Sequence, residues 1–244
     1  MARRRLAERS PRHAGCFFLL PLWHALLAAE QIGTLAAIHD GRFIMQTGLG
    51  YGAEQFEAFG RSESTSGPVI DESIGAIQAL LAGQVVDVPR FESVGCRVGY
   101  LPPEPVEWWI GSGAVVGVER AARFGAAWYG GQRTTPTGDA DVIDAYQTAC
   151  AHHGTEPRMI VRRDALVSAD AAEAHRLGDA ILADGYCGPQ ANQLLIGDVD
   201  EVADSVRALG DAGFGNVIVR CMSSDQVLAL ETIEKMGEVR RGLC

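Results

Sequence analysis

Two glycines and a serine follow an apolar segment in "WWIGSGAVVGVERAARFG", near the middle of the chain. The pattern predicts a strand that ends at Gly111 and turns through Ser112 and Gly113 directly into a helix. Such a turn directs backbone N–H groups and the positive end of the helix dipole at a ligand, and Ser112 adds a hydroxyl donor. These residues favour a phosphate site, and a plain glycine-rich turn is the alternative.

A second glycine group lies in "QTGLGYGAEQF", where Gly48, Gly50 and Gly52 follow another apolar segment. Glycines at the end of a strand permit close approach of a ligand to the backbone. Their spacing differs from the G-x-G-x-x-G of dinucleotide-binding folds, and no acidic residue ends a strand about 20 residues later. A dinucleotide site is therefore weakly supported, and a tight strand-to-helix turn is the alternative.

Composition excludes several classes of protein. The 244 residues carry a formal net charge of -10, which argues against a nucleic-acid partner because phosphate binding needs a basic surface. The six cysteines form no Cys-x-x-Cys pair, so the sequence predicts no metal site and resembles a reduced, cytoplasmic protein. No apolar segment reaches the roughly 18 residues of a membrane span.

Short apolar segments alternate with helical patterns along the whole chain, as in βα units around a parallel sheet. We predict one α/β domain over residues 1–244, with insertions at 84–105 and 183–197. The six predicted strands are "CFFLL" (16–20), "RFIMQT" (42–47), "VEWWIG" (106–111), "GAAWYG" (125–130), "MIVRRDALV" (159–167) and "NVIVRCM" (216–222).

The N-terminal segment has two interpretations. The arginines of "MARRRLAER" followed by "GCFFLLPLWHALLAAEQ" resemble a secretory signal. We prefer a strand, because Ala25–Ile38 is then its crossover helix. Leu26, Ile32, Leu35 and Ile38 are expected on or near one face of that helix.

Helix boundaries are predicted from capping residues. Pro68 is expected at the first position of a helix that Gly83 ends. Ser168 is expected to cap a helix that runs through Leu182, and Asp198 is expected to cap the next helix.

Several segments together resemble the luciferase-like flavin-dependent oxidoreductases, a (β/α)8 TIM-barrel family. The resemblance covers about residues 6–240, and it is carried by "ALLAAEQIGTLAAIHDGRFIMQTGLGYGAEQFEAFG", "DESIGAIQALLAG", "PPEPVEWWIGSG" and "ERAARFGAAWY". Family members usually begin with two further βα units, so the resemblance implies a barrel truncated at its N-terminus to about six units. The resemblance also disfavours the interpretation of the N-terminal segment as a signal peptide.

The resemblance implies a flavoprotein that uses reduced FMN or the deazaflavin coenzyme F420 at the C-terminal ends of the barrel strands. It places the phosphate near Gly111, Ser112, Gly113 and Ala114. It places the flavin ring over two strand ends, which here contain Pro21, Thr47, Gly48 and Gly50. With FMN the expected reaction is monooxygenation of a small organic substrate, and with the deazaflavin it is hydride transfer.

Two further residues are candidates for chemistry in that setting. His24, at the end of a strand, is the candidate acid or base, and a structural hydrogen bond is the alternative. Arg220, near the end of the last strand, could bind a phosphate or an acidic substrate, and an ion pair at the rim is equally compatible.

Rival interpretations stay open from the sequence. One is an inactive barrel fragment, or a partner subunit whose exposed strand edges another chain completes; a homodimer belongs with this interpretation. The other is a flavin-independent barrel enzyme that binds phosphate. A Schiff-base aldolase is disfavoured because the chain contains one lysine, Lys235, in a late helix.

Overall fold

A computed structural model describes residues 14–39, 41–186 and 190–243. Within this part the chain forms two compact units. The first contains the chain up to Ser112 and the segment Glu119–Ala126, and the second contains Gly113–Val118 and the chain from Ala127 onward. The prediction of one domain over the whole chain stays a prediction.

The first unit is a parallel three-stranded sheet with helices, plus a small antiparallel hairpin. Strands β1, β2 and β5 pair in that order, and β3 pairs with β4. The strands are β1 (Ala14–Phe18), β2 (Phe43–Thr47), β3 (Val86–Val88), β4 (Ser93–Cys96) and β5 (Glu107–Gly111). The helices are α1 (Ala25–His39), α2 (Ala53–Ala58) and α3 (Ser66–Leu81), and α4 (Val115–Arg123) continues the chain between the units.

The first strand ends earlier than "CFFLL" predicts. It stops at Phe18, and Leu20–Leu22 form a 3-10 turn instead. Pro21 explains the difference, because a proline has a fixed φ that suits the first turn of a helix and has no N–H to give to a neighbouring strand. The 3-10 turn is buried.

The predicted apolar face of α1 is wrong for two of its four members. Ile32 is fully buried, but Leu35 is 42% exposed and Ile38 is 61% exposed. The residues that α1 buries are mostly small: Ala25, Ala28, Ala29, Ile32, Gly33 and Ala36. Small side chains allow the helix axis to approach its neighbours closely. Alanine and glycine therefore occupy the buried contacts, and Leu35 lies outside them.

The second unit is built around one long strand. Strand β7 pairs in parallel with β6, β8 and β9. The strands are β6 (Ala127–Gly130), β7 (Met159–Val167), β8 (Leu194–Gly197) and β9 (Phe214–Cys221). The helices are α5 (Ala140–His153), α6 (Ala171–Ala183), α7 (Val199–Asp211) and α8 (Gln226–Gly242).

Helices α7 and α8 cover one face of this sheet. Ala165 and Val167 of β7 pack in one buried cluster with Val202 of α7 and Val239 of α8. Val217 and Val219 of β9 pack against the same cluster. Because side chains alternate along a strand, the even-numbered residues of β7 and β9 point to the opposite face.

The helix-start predictions have mixed outcomes. Asp198 caps α7 as expected, since its Oδ1 accepts hydrogen bonds from the N–H groups of Asp200 and Glu201. The prediction for Ser168 is wrong: Asp170 caps α6, and the Ser168 hydroxyl donates to Glu231.

The helix expected to start at Pro68 starts two residues earlier, at Ser66. A proline is compatible with any position of the first turn, because N–H groups there have no carbonyl acceptor within the helix.

The architecture is thus α/β with a mostly parallel arrangement of strands, as the sequence predicts. The sequence misses three short strands, β3, β4 and β8, which lie in the two predicted insertions. Within the described ranges, no helix has the length and apolar character that a membrane crossing requires.

Candidate functional site

The C-terminal ends of three parallel strands meet in the first unit. Phe18 of β1 lies opposite Thr47 of β2, and Thr47 lies opposite Ile110 of β5. The chain continues from these ends into Gly48 and Gly111. A Cβ atom added to Gly48 would lie 3.8 Å from the carbonyl oxygen of Gly111, so the two glycine segments are neighbours. Two of the predicted binding segments are therefore brought together.

Thr47 is the last residue of β2 and is fully buried. It lies on the same face of β2 as Phe43 and Met45. The hydroxyl Oγ1 is buried and has no hydrogen-bond partner among the described residues. Its role in binding stays a prediction.

Gly50 and Gly52 serve the turn into α2. Their φ angles are 99° and 75°, a region that residues with a Cβ rarely adopt. Gly52 is the N-cap residue of α2, and the N–H of Tyr51 donates to Oε1 of Gln55. The tight-turn interpretation of these glycines therefore holds, and binding by Gly50 stays a prediction.

The turn after β5 has the open backbone that a phosphate site needs. β5 ends at Gly111, and α4 begins at Val115. A Cβ atom on Gly113 would meet nothing within 4 Å. The first turn of α4 carries no acidic residue, and Val115 and Val116 are exposed there. First-turn N–H groups have no acceptor within the helix, so this turn suits an anion.

His24 stands between β1 and α1 and is half-buried. Its Nδ1 accepts a hydrogen bond of 3.2 Å from the backbone N–H of Leu26. The ring stacks on Phe91 with centroids 4.1 Å apart and planes inclined by 30°. Because a backbone N–H can only donate, Nδ1 is the bare nitrogen and the neutral ring carries its proton on Nε2. The structural hydrogen bond that the sequence left as the alternative is present.

No pattern in the sequence predicts the contact between His24 and Phe91. Phe91 belongs to a short 3-10 turn, Pro89–Phe91, between β3 and β4. The guanidinium carbon of Arg61 lies 5.7 Å from the centroid of the same phenyl ring. Aromatic stacking restricts the orientation of the His24 ring, and the hairpin thus helps to fix the imidazole.

Arg220 forms an ion pair in the second unit. Its Nε and Nη2 donate to Oδ1 and Oδ2 of Asp164 at 3.1 and 2.7 Å. Tyr186 donates to Oδ2 of Asp164 at 2.8 Å, and Nη2 of Arg220 donates to the Tyr186 oxygen at 2.7 Å. Asp164 is fully buried, whereas the Arg220 side chain is 51% exposed. The ion-pair interpretation of Arg220 is therefore the one that the structure shows.

The network shifts the acidity of its members. The hydrogen bond to Asp164 raises the pKa of Arg220 above its ordinary value, so the guanidinium stays charged. Burial, followed by the hydrogen bond to Asp164, raises the pKa of Tyr186, so its phenol stays protonated at neutral pH.

Asp164, Tyr186 and Arg162 were missed from the sequence. Nε of Arg162 lies 3.4 Å from Oδ1 of Asp164. The available signal was the charged "RRD" inside an otherwise apolar strand, where period-two alternation places Arg162 and Asp164 on one face. In the described ranges, no group of three or more His, Cys, Asp or Glu side chains could hold a metal ion.

Comparison with known proteins identifies the family and the fold class of this chain. The sequence model of the luciferase-like monooxygenase family matches residues 15–192. The chain belongs to the luciferase-like monooxygenase family.

A curated relative is the uncharacterized protein Rv0940c of Mycobacterium tuberculosis, strain H37Rv, which is 28% identical over 137 residues. That match covers 52% of this chain and 44% of the relative, so the chain spans less than half of the relative's length.

Three solved structures share the fold. The monooxygenase RslO1 from Streptomyces bottropensis has a TM-score of 0.75 at 19% identity, over 97% of this chain and 80% of that one. An F420-dependent secondary alcohol dehydrogenase with an F420-acetone adduct has a TM-score of 0.75 at 14% identity, over 95% and 79%. A type II Baeyer-Villiger monooxygenase from Pseudomonas putida in complex with FMN has a TM-score of 0.68 at 18% identity, over 96% and 82%. The fold is of the luciferase-like TIM-barrel class.

Proposed function

We propose that the chain is an oxidoreductase that acts on a small organic substrate with reduced FMN or coenzyme F420. The observation that carries the proposal is the adjacency of Gly48 and Gly111 at the ends of β2 and β5, followed by the open turn at Gly113. Backbone without side chains at the ends of parallel strands suits a flat ring, and a helix N-terminus suits a phosphate. Relatives of the same fold that contain FMN or an F420 adduct support this choice of cofactor.

The residues present fit such a group. Gly111, Ser112, Gly113 and Ala114 would hold the phosphate, because the backbone there is uncrowded around Gly113 and the first turn of α4 has no acidic side chain to repel an anion. Pro21, Thr47, Gly48 and Gly50 would border the ring. When bound, the cofactor supplies hydride transfer or, in the case of FMN, the activation of dioxygen.

His24 is proposed to hold a proton for this chemistry. Its Nδ1 is occupied by the Leu26 N–H, so Nε2 is the donor atom of the neutral ring. Within the described residues Nε2 has no hydrogen-bond partner. The stacked Phe91 keeps the imidazole plane in place, and the residue would therefore act as a hydrogen-bond or proton donor, with no role as a base in its neutral form.

Substitution of Gly113 by glutamate tests the phosphate turn. The new side chain would enter open space, so the fold is retained while a negative charge is placed beside the phosphate. The matched control is Gly210→Glu in α7, which is also exposed and uncrowded. Fluorescence titration with FMN and with F420 should show at least about tenfold weaker binding of one or both to Gly113→Glu, and wild-type affinity for Gly210→Glu.

Equal affinities of the wild type and Gly113→Glu for both cofactors would refute the assignment of the phosphate turn. Binding of inorganic phosphate that Gly113→Glu abolishes, without binding of either cofactor, would instead support the flavin-independent barrel enzyme.

Self-association is proposed from the strand edges. In the described ranges β1 pairs with β2 alone, and β9 pairs with β7 alone. Unpaired edges expose rows of N–H and C=O groups that invite pairing with another chain. We expect light scattering coupled to size-exclusion chromatography to show a dimer or larger species; a monodisperse monomer at all concentrations would contradict this.

A further inference from the structure

The cluster of Arg162, Asp164, Tyr186 and Arg220 carries more positive charge than its internal contacts use. All four side chains belong to the second unit, and Arg162, Asp164 and Arg220 point to the sheet face opposite α7 and α8. Two guanidinium groups share one carboxylate, so the cluster keeps a net charge of about one positive unit when Tyr186 is protonated.

Several donors of the two arginines are not used. Nε of Arg162 is buried and lies 3.4 Å from Oδ1 of Asp164 without a hydrogen bond, and the terminal nitrogens make no hydrogen bond to the described residues. Arg220 donates to Asp164 and Tyr186 through Nε and Nη2. Its Nη1 has no hydrogen-bond partner among the described residues. The terminal nitrogens without an acceptor can donate charge-assisted hydrogen bonds to an oxyanion that approaches from solvent.

The cluster is rigid enough to serve as a binding site. Asp164 is fully buried and holds Arg220 by two parallel hydrogen bonds, which fixes the plane of that guanidinium. Apolar residues adjoin it along the strands, since Leu166 and Met222 belong to one buried cluster against which Tyr186 packs. The Arg162 and Arg220 side chains are 28% and 51% exposed, so a ligand can reach both of them.

We propose that Arg162 and Arg220 bind the carboxylate of an organic-acid substrate. A single negative charge balances the net charge of the cluster, whereas a phosphate dianion would leave an excess charge. The half-buried ring of Tyr186, which lies beside Arg220, would contact the hydrocarbon part of the acid. The assignment of this ligand as the substrate rests on the proposed oxidoreductase function, but carboxylate binding itself requires no cofactor.

Titration of the cofactor-free chain tests the proposal. The probes are phenylacetate, its neutral analogue phenylacetamide, and inorganic phosphate at constant ionic strength. The readout is the ¹⁵N–¹H signals of the arginine Nε groups, which report directly on Arg162 and Arg220. We expect saturable shifts with phenylacetate and binding of phenylacetamide that is weaker by about tenfold or more, because charge-assisted hydrogen bonds are lost.

Arg162→Gln is the decisive variant. It leaves the Arg220–Asp164–Tyr186 contacts in place, whereas removal of Arg220 would leave a buried carboxylate without its main partner and endanger folding. We expect Arg162→Gln to weaken phenylacetate binding by about tenfold. Arg162→Lys should recover part of it, because lysine restores the charge but not the planar fork. The matched control is Arg207→Gln, which removes an exposed arginine paired with Asp204 on α7 and should change nothing.

Three results would overturn the proposal: no saturable binding of phenylacetate, equal binding of acid and amide, or an unchanged affinity in Arg162→Gln. Tighter binding of phosphate than of phenylacetate would overturn the assignment of a carboxylate ligand and favour a phosphate ester instead. Failure of FMN and F420 to bind a chain that still binds phenylacetate would refute the proposed cofactor chemistry and leave the carboxylate site standing.

Discussion

The imidazole of His24 lies against the phenyl ring of Phe91, 4.1 Å between centroids, while its Nδ1 accepts the N–H of Leu26. Stacking fixes the plane of the ring, and the hydrogen bond selects its tautomer. The hydrogen bond also caps the start of α1, and it leaves Nε2 as the donor of the neutral ring. One residue thus serves both the helix and the proposed site.

The tautomer of His24 is directly measurable. We expect long-range ¹H–¹⁵N spectra of the neutral ring to show an unprotonated Nδ1 and a protonated Nε2, because the Leu26 N–H must have an acceptor. A ring protonated at Nδ1 would contradict the inferred role of His24 as a donor.

Substitutions separate the capping role of His24 from its proposed chemistry. His24→Asn keeps an acceptor near the Nδ1 position. Its free energy of unfolding should be higher than that of His24→Gln or lie within about 0.5 kcal/mol of it, whereas His24→Ala should lose about 1 kcal/mol because the cap is lost. Urea unfolding measures these differences. If His24 also donates a proton, turnover should fall about 100-fold or more in all three variants, the well-folded His24→Asn included.

Asp71 links α3 to two arginines of α4. Nε of Arg120, which is 6% exposed, donates to Oδ1 of Asp71 at 2.5 Å, and Nη2 of Arg123 lies 2.8 Å from the same atom. Asp71→Asn should cost about 2 kcal/mol in the free energy of unfolding, because a buried guanidinium loses its charged acceptor. Asp204→Asn, which breaks an exposed pair with Arg207, should cost less than about 0.5 kcal/mol. Equal costs would contradict the importance of burial here.

Gly33 of α1 lies beneath the backbone of the 84–105 insertion. A Cβ atom there would come within 2.5 Å of the carbonyl oxygen of Tyr100. Gly33→Ala should therefore lower the free energy of unfolding by about 2 kcal/mol, since backbone has to move. Gly210→Ala in α7 meets no atom within 4 Å and should raise stability by up to about 1 kcal/mol through helix propensity. Thermal melting of both variants decides the matter.

We expect ionisation of the Tyr146 phenol to lower the stability of the fold at alkaline pH. Burial is the main cause that raises the pKa of Tyr146 from 10.0 to about 12, although the backbone N–H of Arg158, which donates to the phenol oxygen, opposes the rise. The folded state thus holds the phenol proton more tightly than the unfolded state does. Its contribution is fully present below pH 10 and is lost between pH 10 and about 12.

Denaturant unfolding as a function of pH tests this linkage. By pH 11 the wild type should lose about 1 kcal/mol more than Tyr146→Phe, which has no phenol to ionise. Parallel pH profiles of the two proteins would show that Tyr146 ionises alike in both states.

Much of the fold was predictable because its signals are local. The apolar composition of "MIVRRDALV" predicts β7 with its observed ends, Met159 and Val167. The capping role of Asp198 and the short turn between Gly111 and α4 also follow from a few adjacent residues. Such features depend on backbone geometry and on hydrogen bonds within one turn, so neighbouring letters determine them.

The tertiary structure decided what depends on residues distant in the chain. Leu35 and Ile38 fit an apolar face in the sequence, but α1 turns its alanines inward because close packing rewards small side chains. Phe91 lies 67 positions from His24, and Tyr186, Arg220 and Asp164 come from a loop and two separate strands. The sequence by itself determined the βα rhythm, the glycine turns and the family. Only the folded chain determined which charges share a carboxylate and which nitrogen of His24 keeps its proton, because these depend on distances of a few ångströms between elements.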